Sequence, residues 1–299
     1  MTPWDKWRAD PCATPFQSPA WVEAWGAHLC AGERLTIETD DGWLPMFVWV
    51  HEGCRRLVPI GAGQSDYCDA VGETARLFSA LAEEVWDELW LPDLRPGGRL
   101  HGAALPDGWV AEDSPHEICP VLTVPEGRTW LESLSKSKRR KIVHDRNRAE
   151  ALGGVETRLA ATHEIDEALD ALFALHAARW AREGEAGVLA DPKVQAFHRA
   201  AAPALAEAGL LRLALVRHEG RIVAVLLGMC DGRRGYSYIN GVDFSVPGQS
   251  FGTLAFACLI EAALAEGARE FHFLRGEEPY KYALGAEPTQ TVRRVVRRG

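Results

Sequence analysis

Residues 210–274 restrict the choice of architecture more than any other part of the chain. Leu210–His218 and Arg221–Cys230 are apolar, β-branched runs joined by Glu219-Gly220, and Asp231-Gly232 leads into a third run at Gly235–Asn240. Two-residue turns of this chemistry join strands antiparallel, so the segment reads as a three-stranded meander. Thr253–Glu266 then reads as a helix ended by Gly267, followed by a strand at Glu270–Leu274. A short helix, Glu277–Leu284, and a strand, Thr289–Val296, close the chain. Antiparallel strands followed by a helix and another strand exclude a doubly wound nucleotide-binding sheet.

The upstream pattern supplies the helical layers. Gly127–Leu152 reads as one long helix stopped by Gly153-Gly154, followed by a strand at Val155–Ala160. His163–Arg182 is amphipathic, with Leu169, Leu172, Phe173, His176 and Trp180 on one face, and Pro192–Ala208 gives another helix. On that apolar face His176 reads as a core histidine. Nearer the N-terminus, helices are expected at Pro19–Leu29 and Glu73–Leu89. Strands are expected at Trp43–Val50, Arg55–Ile60, Leu89–Leu91, Trp109–Glu112 and Pro120–Val124.

Charge divides the chain. Residues up to Leu134 carry 22 acidic and 9 basic side chains, and those from Ser135 onward carry 20 acidic and 24 basic, within a net charge of −9. Ten of the eleven tryptophans lie at or before Trp130. Two compositions in 299 residues imply two domains, placed at 1–134 and 135–299. The join, Ser135 to Arg148, carries seven full positive charges in fourteen residues. Such density in an acidic protein points to an anionic partner: a phosphate, a nucleotide moiety or tRNA. No aromatic residues are interleaved for base stacking, so Arg139 and Arg140 are candidates for phosphate contact rather than sequence reading.

Other classes drop out on composition and spacing. No run approaches the ~20 apolar residues of a membrane span, and the N-terminus lacks an export signal, so a cytoplasmic enzyme is expected. The seven cysteines are scattered without C-x-x-C spacing, and the ten histidines form no ligand pairs, so neither disulfides nor a metal is expected. Cys258, inside an apolar stretch, reads as a small core residue.

Gly248-Gln249-Ser250-Phe251-Gly252 fits the G-x-S-x-G nucleophile elbow. That reading fails because 49 residues remain after Ser250, with one histidine, His272, and no aspartate, and because Pro247 interrupts the strand that should enter the elbow. The same residues suit another use. Gln249, Ser250, Gly252 and Thr253 open a helix directly after a meander, where free N–H groups and the helix dipole form an anion site. Glycine at 252 lets a pyrophosphate approach the main chain. Gly61-Ala62-Gly63-Gln64-Ser65-Asp66 is not a dinucleotide fingerprint, since no helix follows. Its neighbours Asp66, Tyr67 and Asp69 form a carboxylate-rich loop, either a turn or a contact for an amine or hydroxyl acceptor.

Together, Thr14–Trp21, Gly63–Asp69, Ser135–Lys141, Pro247-Gly248 with the following helix, and Phe273–Lys281 resemble the GNAT-superfamily acetyltransferases of the cellulose-biosynthesis type, relatives of Fem-type aminoacyl transferases. The resemblance implies an α/β (α+β) protein with two tandem GNAT-like lobes, each a mixed, mainly antiparallel sheet flanked by helices. The N-terminal lobe would be degenerate and acceptor-binding, and the C-terminal lobe more complete. It implies acyl transfer, with acyl-CoA (acetyl-CoA) held by a Gln-x-x-Gly loop as co-substrate and no metal. Leu254 departs from that loop's final small residue. Tyr280-Lys281-Tyr282-Ala283-Leu284-Gly285 resembles the Fem-type aromatic-Lys element at the transfer site.

Direct attack by an acceptor needs a neutral nucleophile and stabilisation of a developing oxyanion, but no enzyme nucleophile. Lys281 is placed on the oxyanion or a donor phosphate. Tyr280, Glu277, Glu278 and Tyr238 are acid–base candidates. Tyr236, on the same strand face as Tyr238 by alternation, and Arg275 are candidates for the substrate. The acceptor is a small molecule, a glycan or a peptide. Two other readings stand beside this one: an aminoacyl-tRNA-dependent Fem-type transferase using the basic segment on tRNA, and a non-catalytic polysaccharide-assembly protein.

Overall fold

The computed structural model describes residues 1–246 and 248–299. Pro247, which entered both the objection to a serine nucleophile and the family resemblance, lies outside them. The chain forms two compact units, one of Met1–Cys119 with Thr289–Gly299 and the other of Pro120–Pro288.

The first unit contains α1 (Pro3–Ala9), α2 (Pro19–His28), β1 (Glu33–Glu38), β2 (Trp43–His51), β3 (Cys54–Pro59), α3 (Thr74–Ala82), β4 (Glu88–Leu94) and β5 (Trp109–Ile118). The second contains β6 (Val121–Thr123), α4 (Trp130–Ser133), α5 (Lys136–Leu152), β7 (Val155–Leu159), α6 (Ile165–Glu183), α7 (Pro192–Glu207), β8 (Leu211–His218), β9 (Arg221–Cys230), β10 (Arg234–Val242), α8 (Phe251–Ala265), β11 (Glu270–His272) and α9 (Pro279–Ala283). The last strand, β12 (Gln290–Arg298), returns to the first unit. The two six-stranded sheets run β1-β2-β3-β4-β12-β5 and β6-β11-β10-β9-β8-β7.

One plan serves both units. Strands β1, β2 and β3 pair antiparallel, and the chain then crosses through α3 to place β4 parallel to β3. Likewise β8, β9 and β10 pair antiparallel before α8 carries the chain across to β11, parallel to β10. A parallel neighbour requires such a crossover, whereas the meander needs only tight turns. The tandem, mainly antiparallel architecture follows.

The division falls at 119/120 instead of 134/135. Residues 120–134 belong with the second unit because β6 pairs with β11 and the buried Trp130 donates its indole N–H to the Leu284 carbonyl at 2.9 Å. Strand β12 inserts between β4 and β5 and so leaves the C-terminal lobe to which composition assigned it. The helix expected over 127–152 is interrupted: Leu134 is extended (φ −83°, ψ 151°) and the Ser135 hydroxyl caps α5 at the Lys138 N–H. Composition registers charge and aromatic content, and neither reports which strands pair.

In the second unit Leu259, Ile260 and Ala263 of α8 pack with Ala214, Val216, Ala224 and Leu226 of the sheet. The contact is close enough to require glycine at 235. A methyl group there would stand 2.6 Å from Ala263 Cβ and 2.7 Å from Phe271 Cδ2. Gly235→Ala is expected to cost about 2 kcal/mol through overpacking, seen as a lower urea midpoint with an unchanged m-value.

Candidate functional site

A cavity of about 770 Å³ opens in the second unit, and its wall comes wholly from that unit. The N-terminal end of α8 forms one side. Ser250 is the N-cap residue, but no side chain caps this helix, and the first intrahelical bond runs from the Leu254 N–H to the Ser250 carbonyl at 3.3 Å. The N–H groups of Phe251, Gly252 and Thr253 therefore have no intrahelical partner, and the positive end of the helix dipole lies at the cavity wall. Gln249, Ser250, Gly252 and Thr253, the four residues expected to hold a donor, all line it. Among the described residues beyond its own helix backbone, a Cβ at Gly252 would meet only Val242 Cγ2, at 3.4 Å, so the cavity side of this position is open.

Helix α5 brings cations to the same place. Lys141, Asp145 and Arg148 share one face by their i, i+4, i+7 spacing. Lys141 and Asp145 line the cavity and pair at 3.2 Å. The Arg148 guanidinium occupies the space a side chain at Gly248 would take, and Gly248 itself is left-handed (φ +72°). An arginine thus reaches the loop that precedes the helix N-terminus. From α6, Arg179 and Arg182 add positive charge to the wall, and Arg179 pairs with Glu183 at 3.5 Å.

The wall also holds Tyr280, its ring tilted by 42° against that of Phe256 with centroids 5.0 Å apart, and Asn240 of β10. Burial, reinforced by nearby Glu278, pushes the Tyr280 phenol well above its usual range and keeps it protonated. Two residues before Asn240, β10 carries a bulge: Ser237 pairs with Gly228 and Ile239 with Leu227, leaving Tyr238 as the extra residue.

The other expected site residues have different places. Lys281 is buried and donates to the carbonyls of Leu274, Arg275 and Gly276 while pairing with Glu278, so its ammonium is turned away from the oxyanion role expected of it. Glu278 lines the cavity, but Glu277 is exposed, outside the wall, and accepts from the Tyr282 hydroxyl at 3.2 Å. Tyr236 is fully buried, stacks on His272 and donates to Asp231 at 2.9 Å, so its hydroxyl serves the core. Tyr238 packs 5.6 Å from His198 of α7, and the bulge interrupts the strict alternation by which the two tyrosines share a face. Arg139 and Arg140 are exposed on α5 outside the wall, and Arg275 is half-buried. His176 is buried and neutral, its Nε2 accepting from the Trp180 indole at 2.8 Å and burial lowering its pKa to about 4.

The acidic loop belongs to the first unit. Tyr67 and Asp69 are buried and Asp66 is half-buried. Gln17 donates to the Tyr67 carbonyl at 2.8 Å and Trp21 to the Ser65 hydroxyl at 2.9 Å, so Thr14–Trp21 and Gly63–Asp69 form one packed element. Asp69 accepts from the backbone N–H groups of Ala70, Leu100 and Arg99. Both its carboxylate oxygens are engaged within the fold, in place of the acceptor contact expected.

Sequence reasoning missed Asn240, Asp145, Arg179 and Arg182, and took Lys141 and Arg148 only as part of a charge run. Helical spacing within the run, and the Arg179/Arg182 step of one turn, were the signals available for most of them. Asn240 had none, since only the fold brings it to the wall that Tyr280 also lines.

Comparison with known proteins agrees with this architecture. Residues 136–282 match the acetyltransferase (GNAT) domain. No curated protein matches the chain at a significant level. Among solved structures, a conserved protein of unknown function from Bacteroides thetaiotaomicron VPI-5482 superposes with a TM-score of 0.70 at 14% identity, covering 99% of this chain and 96% of that one. FemX matches with a TM-score of 0.67 at 11% identity over 98% of this chain and 94% of its own. L-PGS from Bacillus licheniformis gives 0.56 at 12% identity over 94% and 91%. These likenesses show a shared tandem GNAT-like fold. Among the described residues no cluster of His, Cys, Asp or Glu is placed to hold a metal, and no helix is long and apolar enough to cross a membrane.

Proposed function

We propose that the second unit binds acyl-CoA, most simply acetyl-CoA, and transfers the acyl group directly to an amine or hydroxyl. The observation that carries this reading is the uncapped N-terminus of α8 at the wall of a 770 Å³ cavity, with an unobstructed glycine in its first turn. Donor phosphates meet the N–H groups of residues 251–253, with Gln249, Ser250 and Thr253 alongside and Arg148 and Lys141 supplying positive charge. Asn240 of β10 and the neutral Tyr280 phenol also line the cavity. Tyr280 gives a proton to the departing thiolate, and the proton the acceptor loses on acylation restores the phenol, so the transfer balances. An acyl group attacked directly needs no nucleophile from the protein.

The first unit's part as an acceptor-binding lobe rests on Asp66, because Tyr67 and Asp69 are packed inside it. A Fem-type, aminoacyl-tRNA-dependent reading is supported by the likeness to FemX and by Arg139 and Arg140, which project from α5 outside the cavity. Assembly of a polysaccharide without catalysis is the third reading.

Titration calorimetry with acetyl-CoA, free coenzyme A and aminoacyl-tRNA separates them, alongside thiol release from acetyl-CoA with amine, glycan and peptide acceptors. The expected result is coenzyme A binding on the order of micromolar with only weak tRNA binding, lost at moderate salt. Tight tRNA binding that weakens steeply with salt, without coenzyme A binding, supports the Fem-type reading. Binding of neither leaves the non-catalytic one. Tyr280→Phe is expected to retain donor affinity and lose roughly ten- to thirtyfold in kcat, less than is usual for an acid catalyst because a thiolate departs readily.

A further inference from the structure

Three consecutive backbone carbonyls after β11 converge on one ammonium. Lys281 Nζ stands 3.1 Å from the Leu274 oxygen, 2.6 Å from that of Arg275 and 3.0 Å from that of Gly276, with a Glu278 carboxylate oxygen at 2.9 Å. Three N–H donors face four oxygens, so none remains for a ligand. The turn they hold is unusual. Leu274 is left-handed at φ +59° although it is a buried leucine, and Gly276 follows at φ +107°. A leucine stays in that region only where its surroundings impose it.

The element on the other side of the clamp is equally dependent. Helix α9 has five residues, too few to be stable alone. Yet α9 and the residues beside it place Glu278, Tyr280, Ala283 and Leu284 on the cavity wall. We propose that Lys281 is a positioning residue, an internal ammonium that pins residues 274–276 to α9 and thereby sets the place of Tyr280 on the cavity wall. The clamp stands on geometry alone, and only its effect on turnover rests on the acyl-transfer reading. An oxygen cage of this composition accepts a free monovalent alkylammonium once the side chain is removed. Lys281→Ala deletes the equivalent of n-propylammonium, whereas Lys281→Met fills the channel without a charge.

The test measures thermal midpoint, coenzyme A affinity and acetyl-CoA turnover for both variants, in n-propylammonium chloride and in sodium chloride of equal concentration. Wild-type protein in the same amine sets the background from the amine acting as acceptor. Both midpoints are expected to fall by roughly 5–10 °C, with coenzyme A affinity held within about threefold because α8 keeps its place. The propylammonium ion restores at least half of the lost midpoint in Lys281→Ala and none in Lys281→Met. Turnover falls about tenfold in kcat and follows the same pattern of rescue.

Wild-type midpoints in both variants overturn the clamp. So does lost turnover with an unchanged midpoint and no rescue, which would place Lys281 on the substrate. If no protein turns over, the acyl-transfer reading fails, and the midpoint measurements still decide the clamp. A Lys281→Ala chain that folds only in the amine supports it. One that fails to fold even there, while Lys281→Met keeps the wild-type midpoint, overturns it.

Discussion

Gly252→Trp is expected to weaken coenzyme A and acetyl-CoA binding by roughly a hundredfold or more while leaving the fold intact. Gly252 is the second residue of α8, and among the described residues beyond the helix's own backbone only Val242 Cγ2 lies within 4 Å of a Cβ there, at 3.4 Å. Its backbone tolerates a side chain, because its φ is not left-handed. An indole placed there projects into the cavity over the N–H groups proposed to hold the donor phosphates, excluding the ligand without forcing the helix to move. Gly252→Ala isolates the smaller effect: one methyl group beside the phosphate site, with an unchanged thermal midpoint and a modest loss of affinity. Calorimetry on both variants checks the pair. Full affinity in Gly252→Trp would mean that the donor does not lie against α8 and would sink the proposed site.

The second large effect concerns Asp69. Both oxygens are committed: Oδ1 accepts the N–H groups of Ala70 and Leu100 at 2.9 and 2.8 Å, and Oδ2 accepts that of Arg99 at 2.8 Å. Asp69→Ala strands these three donors, two of them in buried surroundings, at a cost of about 3–5 kcal/mol. Burial raises the Asp69 carboxyl to about 6, the three N–H donors opposing it incompletely. The folded protein therefore holds this proton more tightly than the unfolded chain. The associated stability is complete below about pH 4 and is lost as the pH rises through about 6. Asp69→Ala should consequently destabilise more at pH 5 than at pH 7.5. Urea unfolding followed by tryptophan fluorescence is the measurement, and it is selective, since nine of the eleven tryptophans lie at or before Trp109 in the first unit. Equal losses at both pH values would show that Asp69 does not titrate in this range.

The uncapped start of α8 was legible because its signal is local. Gln249, Gly252 and the apolar periodicity of the following helix are neighbours in sequence, and a helix N-terminus presents its N–H groups wherever it sits. Lys281 was misread for the complementary reason. Its position as the only lysine after Lys193 marks it out, but what it does depends on the direction of three carbonyls in a turn whose left-handed leucine no pattern announces. Asp69 was read as part of a turn or as an acceptor contact, because nothing in the adjacent residues shows where its carboxylate finds partners. The N–H groups of Arg99 and Leu100 that satisfy it lie thirty residues away in sequence.

The sequence by itself determined the elements of this protein: the meander at 211–242, the helix that follows it, two compositions and a concentrated run of positive charge. These depend on turn chemistry, side-chain period and charge, all properties of adjacent residues. Tertiary structure decided how they were shared out and what each polar group faces. It returned β12 to the first sheet and turned Lys141, Asp145 and Arg148 toward one cavity and loop. It directed Lys281 inward, onto carbonyls. Strand pairing and burial of charge are settled by partners distant in the chain, because a hydrogen bond or an ion pair acts through space and takes no account of sequence separation.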